Sequence, residues 1–189
     1  MASFIILLMG TMFAMVLRQT RAASYRSEAL ITARQSLELL TKTLDQDFEK
    51  TTVDGLHLSK DGTKFSIQTV ERISLNGKRA WSPYVTLFYF DQKNRQLLKG
   101  QAELSEIGKT HQPDAPADFS DQDLQIFLQT LQKDQRLKTV GNQLDGFSLD
   151  RPTSLTARVK LTAVLRSGKY KDETVKTENT FFFAGATNL

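Results

Sequence analysis

The chain has 189 residues, 24% charged and 40% hydrophobic, with a formal net charge of +4, two histidines and no cysteine. That length fits one ordinary domain, or a modest domain with an appendage. Lacking cysteine, the chain has no disulfide framework, thiolate metal site or cysteine nucleophile, and the distant His57 and His111 leave little room for a histidine metal site or triad.

The charge is uneven. Residues 1–26 carry Arg18, Arg21 and Arg26 and no acid, whereas residues 27–189 carry 22 basic and 21 acidic side chains. The basicity is therefore local, and no nucleic-acid partner is expected: the head shows no interleaving of aromatic and basic residues, and its cations are balanced by acids.

The arginines follow an uncharged run, residues 1–17 (MASFIILLMGTMFAMVL). As a helix it measures roughly 25 Å, somewhat short of the ~30 Å hydrocarbon core that about 20 apolar residues span. A cleaved signal peptide, a buried core helix and a membrane-embedded helix all compete for this run. The missing basic start and the arginines in TRAAS count against the first, and the lack of any charged face counts against the second. The membrane-embedded reading is preferred, with Phe4, Ile5, Ile6, Leu7, Leu8, Gly10, Phe13 and Leu17 as the membrane and assembly residues. Arg18, Arg21 and Arg26 form a juxtamembrane basic cluster, whose default role is to reach lipid headgroups.

No proline precedes Pro83, and no glycine lies between Gly10 and Gly55. Leu30, Ala33, Leu37, Leu40, Leu44 and Phe48 recur at spacings of three and four, which predicts one helical stripe packed on the chain's own sheet. Arg34, Glu38 and Lys42 lie four apart on another face. The helix is expected to end near Thr51–Thr52, with Asp54-Gly55 as the stop, giving one helix of about 50 residues.

Beyond Gly55 the period changes. Residues 64–70 (KFSIQTV) alternate, and residues 73–75 run into Asn76-Gly77, a two-residue hairpin signal, before residues 79–81. Residues 84–90 (YVTLFYF) read as a central strand, 91–95 as a turn and 96–99 as a short returning strand. Residues 110–123 read as a loop that ends where Ser120 caps a short helix, with Asp123 at the capping-box position. A last hairpin pairs residues 154–166 with 173–183 across a turn at 167–172, and Trp81 and residues 181–183 are read as core or strand.

This layout resembles the type IV pilin-like subunits, and within them the J-type minor pseudopilins of type II secretion and the W-type minor pilins. The matching residues are 35–48 (QSLELLTKTLDQDF), 85–91 with 94–98 (NRQLL), and the closing pair 157–165 and 174–183. The family's basic leader, the glycine and phenylalanine at its cleavage point and the glutamate at mature position five have no counterpart, since the first acid is Glu28. Two explanations stand open. Either Met1 falls inside the helix and leader and acid lie upstream, or the subunit is atypical.

The resemblance implies an α+β fold, with a long N-terminal helix packed on an antiparallel β-sheet head. The expected division is a membrane or filament-core half-helix at 1–17, an amphipathic half at 18–54 and a β-rich head at 55–189. It further implies a non-enzymatic minor subunit of a pilus or secretion pseudopilus, acting in filament initiation or at the tip. Such a subunit is single-pass in the bacterial inner membrane with its head in the periplasm. Its partners are related subunits, inner-membrane lipids, the assembly platform and a prepilin peptidase. The positive-inside rule alone would put the head in the cytoplasm, and an upstream basic leader would reverse that. The rival function is a secreted or membrane-tethered β-rich binding module.

Two acidic groups carry further expectations. Asp114, Asp118, Asp121 and Asp123 are weak calcium candidates, because they gather oxygen ligands without an EF-hand spacing; no other cofactor is expected. Asp45, Asp47 and Glu49, at the helix end where the dipole disfavours acids, read first as a solvated face. The sharper reading has them meeting Arg18, Arg21 or Arg26 of a neighbouring subunit. No GxSxG, GxxxxGK[ST], HExxH or GxGxxG motif gives catalysis a foothold.

Overall fold

The structure, a computed structural model, describes residues 2–149, 156–165 and 173–183, and the side chains of the first helix from Met12 onward apart from positions 22, 26 and 29. The helix-forming composition of the first fifty residues yields a single helix, α1 (Ala2–Phe48). It stops a few residues before the expected Thr51–Thr52. There the backbone turns to the sheet: Val70 N donates to Lys50 O at 2.7 Å, and the buried Thr51 donates its hydroxyl to Gln68 O at 2.6 Å.

A 3-10 turn at Val53–Gly55 leads into β1 (Leu56–Leu58), β2 (Lys64–Ile73), β3 (Arg79–Asp91) and β4 (Gln96–Glu103). A second 3-10 turn (Leu104–Ile107), α2 (Asp121–Lys133) and β5 (Lys138–Gly141) follow. The strands β1 to β5 form one antiparallel sheet in chain order. The last three, β6 (Leu144–Leu149), β7 (Thr156–Leu165) and β8 (Glu173–Phe182), form a second antiparallel sheet. The class is α+β with antiparallel sheets, but the expected single sheet is two. The chain passes from one to the other through Asn142 and Gln143, and Leu144 N bonds Arg95 O at 2.9 Å across the junction.

The segments read separately as residues 79–81 and 84–90 are one 13-residue strand, β3, in the middle of its sheet. Pro83 has no N–H to offer the ladder, and the β2–β3 register shifts between Gln68 and Val70 opposite it, so the irregularity absorbs the proline. The hairpin at Asn76-Gly77 is longer than two residues. Gly77 N bonds Ser74 O at 2.9 Å, Ser74 N bonds Lys78 O at 2.8 Å, and Gly77 takes a φ of +77°. That is a turn closed by a left-handed glycine. The predicted turn at 167–172 and Leu155 lie outside the described residues.

Two cores result. Val85, Leu87, Ala102, Leu104, Ile107 and Phe119 pack with Leu124, Phe127, Leu128 and Leu131 of α2. On the opposite face, Phe65, Ile67, Phe88, Phe90 and Leu97 pack with Leu37, Leu40, Leu44 and Phe48 of α1 and with Leu149, Val159, Leu161 and Phe181 of the second sheet. Because β3 contributes to both cores, both faces of the run YVTLFYF are buried, which is why it is apolar nearly throughout. Two glycines permit the close approach of the helices. A Cβ at Gly141 would lie 2.8 Å from Leu40 Cδ2, and one at Gly100 would lie 2.7 Å from Leu131 Cδ1.

Candidate assembly helix and its attachment to the head

The C-terminal part of α1 is held by its apolar stripe. Ala33, Leu37, Leu40, Leu44 and Phe48 are buried and Leu30 is half-buried. Burying each of the larger side chains contributes about 1.5–3 kcal/mol. Phe48 joins the two sheets: its ring stacks on Phe65 of β2 at 6.2 Å and on Phe181 of β8 at 5.2 Å, with Phe183 edge-on at 5.9 Å. Thr41 adds a polar tie, its hydroxyl oxygen accepting from Asn179 Nδ2 at 3.1 Å. The amphipathic half is thus part of the head's core rather than an appendage to it.

The described stretch from Met12 to Glu28 is bare. Every described side chain in it is exposed, Phe13 at 66% and Leu17 at 43%. At 100° per residue, Met12, Phe13, Met15, Val16 and Leu17 occupy more than half of the helix circumference. Phe4, Ile5, Ile6, Leu7, Leu8 and Gly10 lie in α1, but their side chains are outside the described ones, as is that of Arg26. Among the described residues no helix is long and apolar enough to cross a membrane. Arg18 and Arg21 are exposed.

The acids at the helix end divide. Asp47 is not a solvated residue: its carboxylate meets Lys99 of β4 at 2.5 Å, and the Lys99 ammonium also lies 5.5 Å from the Phe88 ring centre. Asp45 and Glu49 are exposed. Residues 21 and 45 are 24 positions apart on one helix, roughly 36 Å, so an Arg21–Asp45 contact can form only between two chains.

The four aspartates of the calcium candidate do not converge. Asp114 and Asp118 are exposed on the loop, and Asp118 lies 3.8 Å from His57 Nδ1. Asp121 accepts from Lys60 N at 3.0 Å. Asp123 accepts from Lys109 Nζ at 2.7 Å and Ser120 N at 2.9 Å, and its carboxyl is lowered to about 2, chiefly by Lys109. The Ser120–Asp123 capping box is complete, so this carboxylate is already engaged. Among the described residues no group of three or more His, Asp or Glu could hold a metal ion.

Reading the residues alone misses how the 110–120 loop is fastened. Gln68, buried within the sheet, donates to Ser82 O at 2.6 Å and accepts from Ala117 N at 2.8 Å, while Trp81 N bonds Pro113 O at 2.7 Å. His57 packs 5.4 Å from the Phe119 ring, and its Nε2 is buried without a partner. Burial lowers the His57 pKa, against an opposing pull from Asp118. Gln68 shares its strand with Lys64, Ser66, Thr69, Glu71 and Arg72, so nothing in the sequence marks it as the anchor of this loop.

The chain matches no protein-family model, no curated protein and no solved structure.

Proposed function

We propose that the chain is a structural, non-enzymatic subunit of a pilin-like filament, a minor pilin or secretion pseudopilin acting in filament initiation or at the tip. One observation carries this reading. The helix α1 extends for about thirty residues, roughly 45 Å, before Ala33, the first of its described side chains to be buried, and the described apolar side chains from Met12 to Tyr25 are all exposed. A helix with apolar side chains over more than half its circumference needs other helices or lipid around it.

In this reading the apolar start is held in the bacterial inner membrane, with the head in the periplasm. It then moves among the helices of related subunits, exchanging lipid for protein contacts. Close packing there relies on van der Waals fit, for which Gly10, Thr11 and Ala14 are small enough. Arg18 and Arg21 mark the headgroup level before assembly and face Asp45 of a neighbour after it. The folded, two-core head stays at the filament surface, fixed in orientation by Phe48.

Sheared surface filaments and carbonate-washed inner membranes, probed for this chain, test the proposal. The native chain is expected in both fractions. Phe13→Asp with Val16→Asp should remove it from both while leaving the circular dichroism of the head unchanged. A native chain found only in the soluble periplasm would overturn the proposal and favour the secreted binding module.

A further inference from the structure

The β2–β3 hairpin is a finger. Residues 71–79 are exposed on both faces of the ribbon, with no core beneath them. It is nevertheless ordered at its end: Ser74 bonds Lys78 O through both its N–H and its hydroxyl, at 2.8 and 2.9 Å, and Asn76 Oδ1 accepts from Lys78 N at 3.3 Å. At the tip of this finger stands Leu75, fully exposed, beside Ile73 at 55%. A lone surface leucine needs no explanation. Two aliphatic side chains at the end of a projecting, internally braced ribbon are different, because no described residue covers them.

The charges around the tip are mostly basic, Arg72, Lys78 and Arg79 against Glu71 at the base of the finger. Ile73 pairs with Arg79 across the ribbon, and Arg72 with Ala80, so cations flank the aliphatic pair on both faces, with Lys78 next to the turn. Arg79 reaches Asp54 at 3.4 Å, whereas Arg72 and Lys78 have no ion-pair partner among the described residues.

From this we infer that the finger docks on an anionic lipid bilayer surface, Leu75 and Ile73 entering the headgroup–acyl boundary and Arg72 and Lys78 contacting phosphates. The shape selects lipid. A convex tip of two aliphatic side chains with a basic collar fits a deformable apolar layer beneath a negative surface, where each added cation also favours binding. The root of the finger sits on residues 50–54, just past the C-terminal end of α1, so this contact is separate from anything the bare start of α1 does. The inference does not depend on the filament reading.

The absence of cysteine makes the test direct. In the full chain, Asn76→Cys is labelled with an environment-sensitive dye. It is mixed with vesicles of phosphatidylcholine alone, or of phosphatidylcholine with phosphatidylglycerol. Gln129→Cys on the exposed face of α2 serves as the control site. The expected result is a blue shift at position 76 with the anionic vesicles only, none at 129, and loss of the shift in Leu75→Ser. Arg72→Glu with Lys78→Glu should weaken the response roughly tenfold or more, and raised salt should act in the same direction. These positions are exposed and belong to neither core, so the variants leave both cores intact. No shift with anionic vesicles would overturn the inference. An equal shift with neutral vesicles, or an equal shift at position 129, would also overturn it.

Discussion

Lys99 Nζ and Asp47 Oδ2 meet at 2.5 Å, joining β4 to the last turn of α1 across 52 residues of sequence. Both side chains are mostly buried, and an acid at a helix C-terminus faces an unfavourable dipole, so the lysine offsets a local cost as well as forming a bond. Asp47→Asn and Lys99→Met should each destabilise the head by about 1 kcal/mol, with a positive coupling in the double-mutant cycle. Urea unfolding of the four proteins measures this, and additive effects would mean that the pair contributes nothing. Asp45, by contrast, is exposed, so Asp45→Lys should leave stability within about 0.5 kcal/mol and act on assembly instead.

The stripe on α1 and its bare start should respond oppositely to truncation. Leu40→Ala and Phe48→Ala leave cavities where the helix meets the sheets and should cost about 2–5 kcal/mol each. Phe13→Ala touches no core and should leave the unfolding midpoint of the head where it is. The comparison needs only denaturant curves on the three variants. A Phe13 effect as large as the Leu40 effect would show that the start of α1 packs on the head.

Gly141 and Gly100 are tight from opposite faces of the same sheet. Alanine at either position forces a leucine aside and should cost about 1–3 kcal/mol by overpacking. Shortening the opposing leucine should restore part of that loss: Leu40→Val with Gly141→Ala, and Leu131→Val with Gly100→Ala. Failure of both rescues would place the strain in the backbone instead.

The pH dependence has two parts of the same direction. His57 has a folded pKa below its ordinary 6.5, so the unfolded chain binds the proton more readily, and stability falls as pH drops below about 6.5. Asp123 has its carboxyl lowered from 3.8 to about 2, so its contribution is intact above about 4 and is lost between about 4 and about 2. Melting temperatures from pH 8 to pH 3 should decline in two stages. His57→Gln should flatten the upper stage, and Asp123→Asn should reduce the lower one, to which Asp61 and Asp91, also held below the ordinary carboxylate range by hydrogen bonds, contribute as well. A His57→Gln profile parallel to the parent's would contradict the assignment.

What the residues reveal unaided follows from what is local. The α1 stripe is legible because five of its six positions are buried at helical spacing, and β3 because two buried faces demand a continuous apolar run. The cap at Ser120 and Asp123 is a four-residue pattern and is likewise legible. The three-residue β1, the polar β5 (KTVG) and β6 (LDGFSL) carry too little alternation to announce themselves. β4 continues past Lys99 through Gly100, where a helix takes the place of a side chain. The division into two sheets depends on which strands pair, and alternation within a strand does not encode its partner. At the candidate site, the residues placed Asp47 on the surface because its partner Lys99 lies far along the chain.

The central claim is that the bare start of α1 packs against other helices. Single cysteines at Phe13 and Val16, in a chain with none of its own, test it most directly when cells are treated with a short bifunctional maleimide. The account predicts a crosslinked dimer from each position and none from Gln129→Cys on α2. Monomer alone from Phe13 and Val16, with the chain expressed and the head folded, would contradict it.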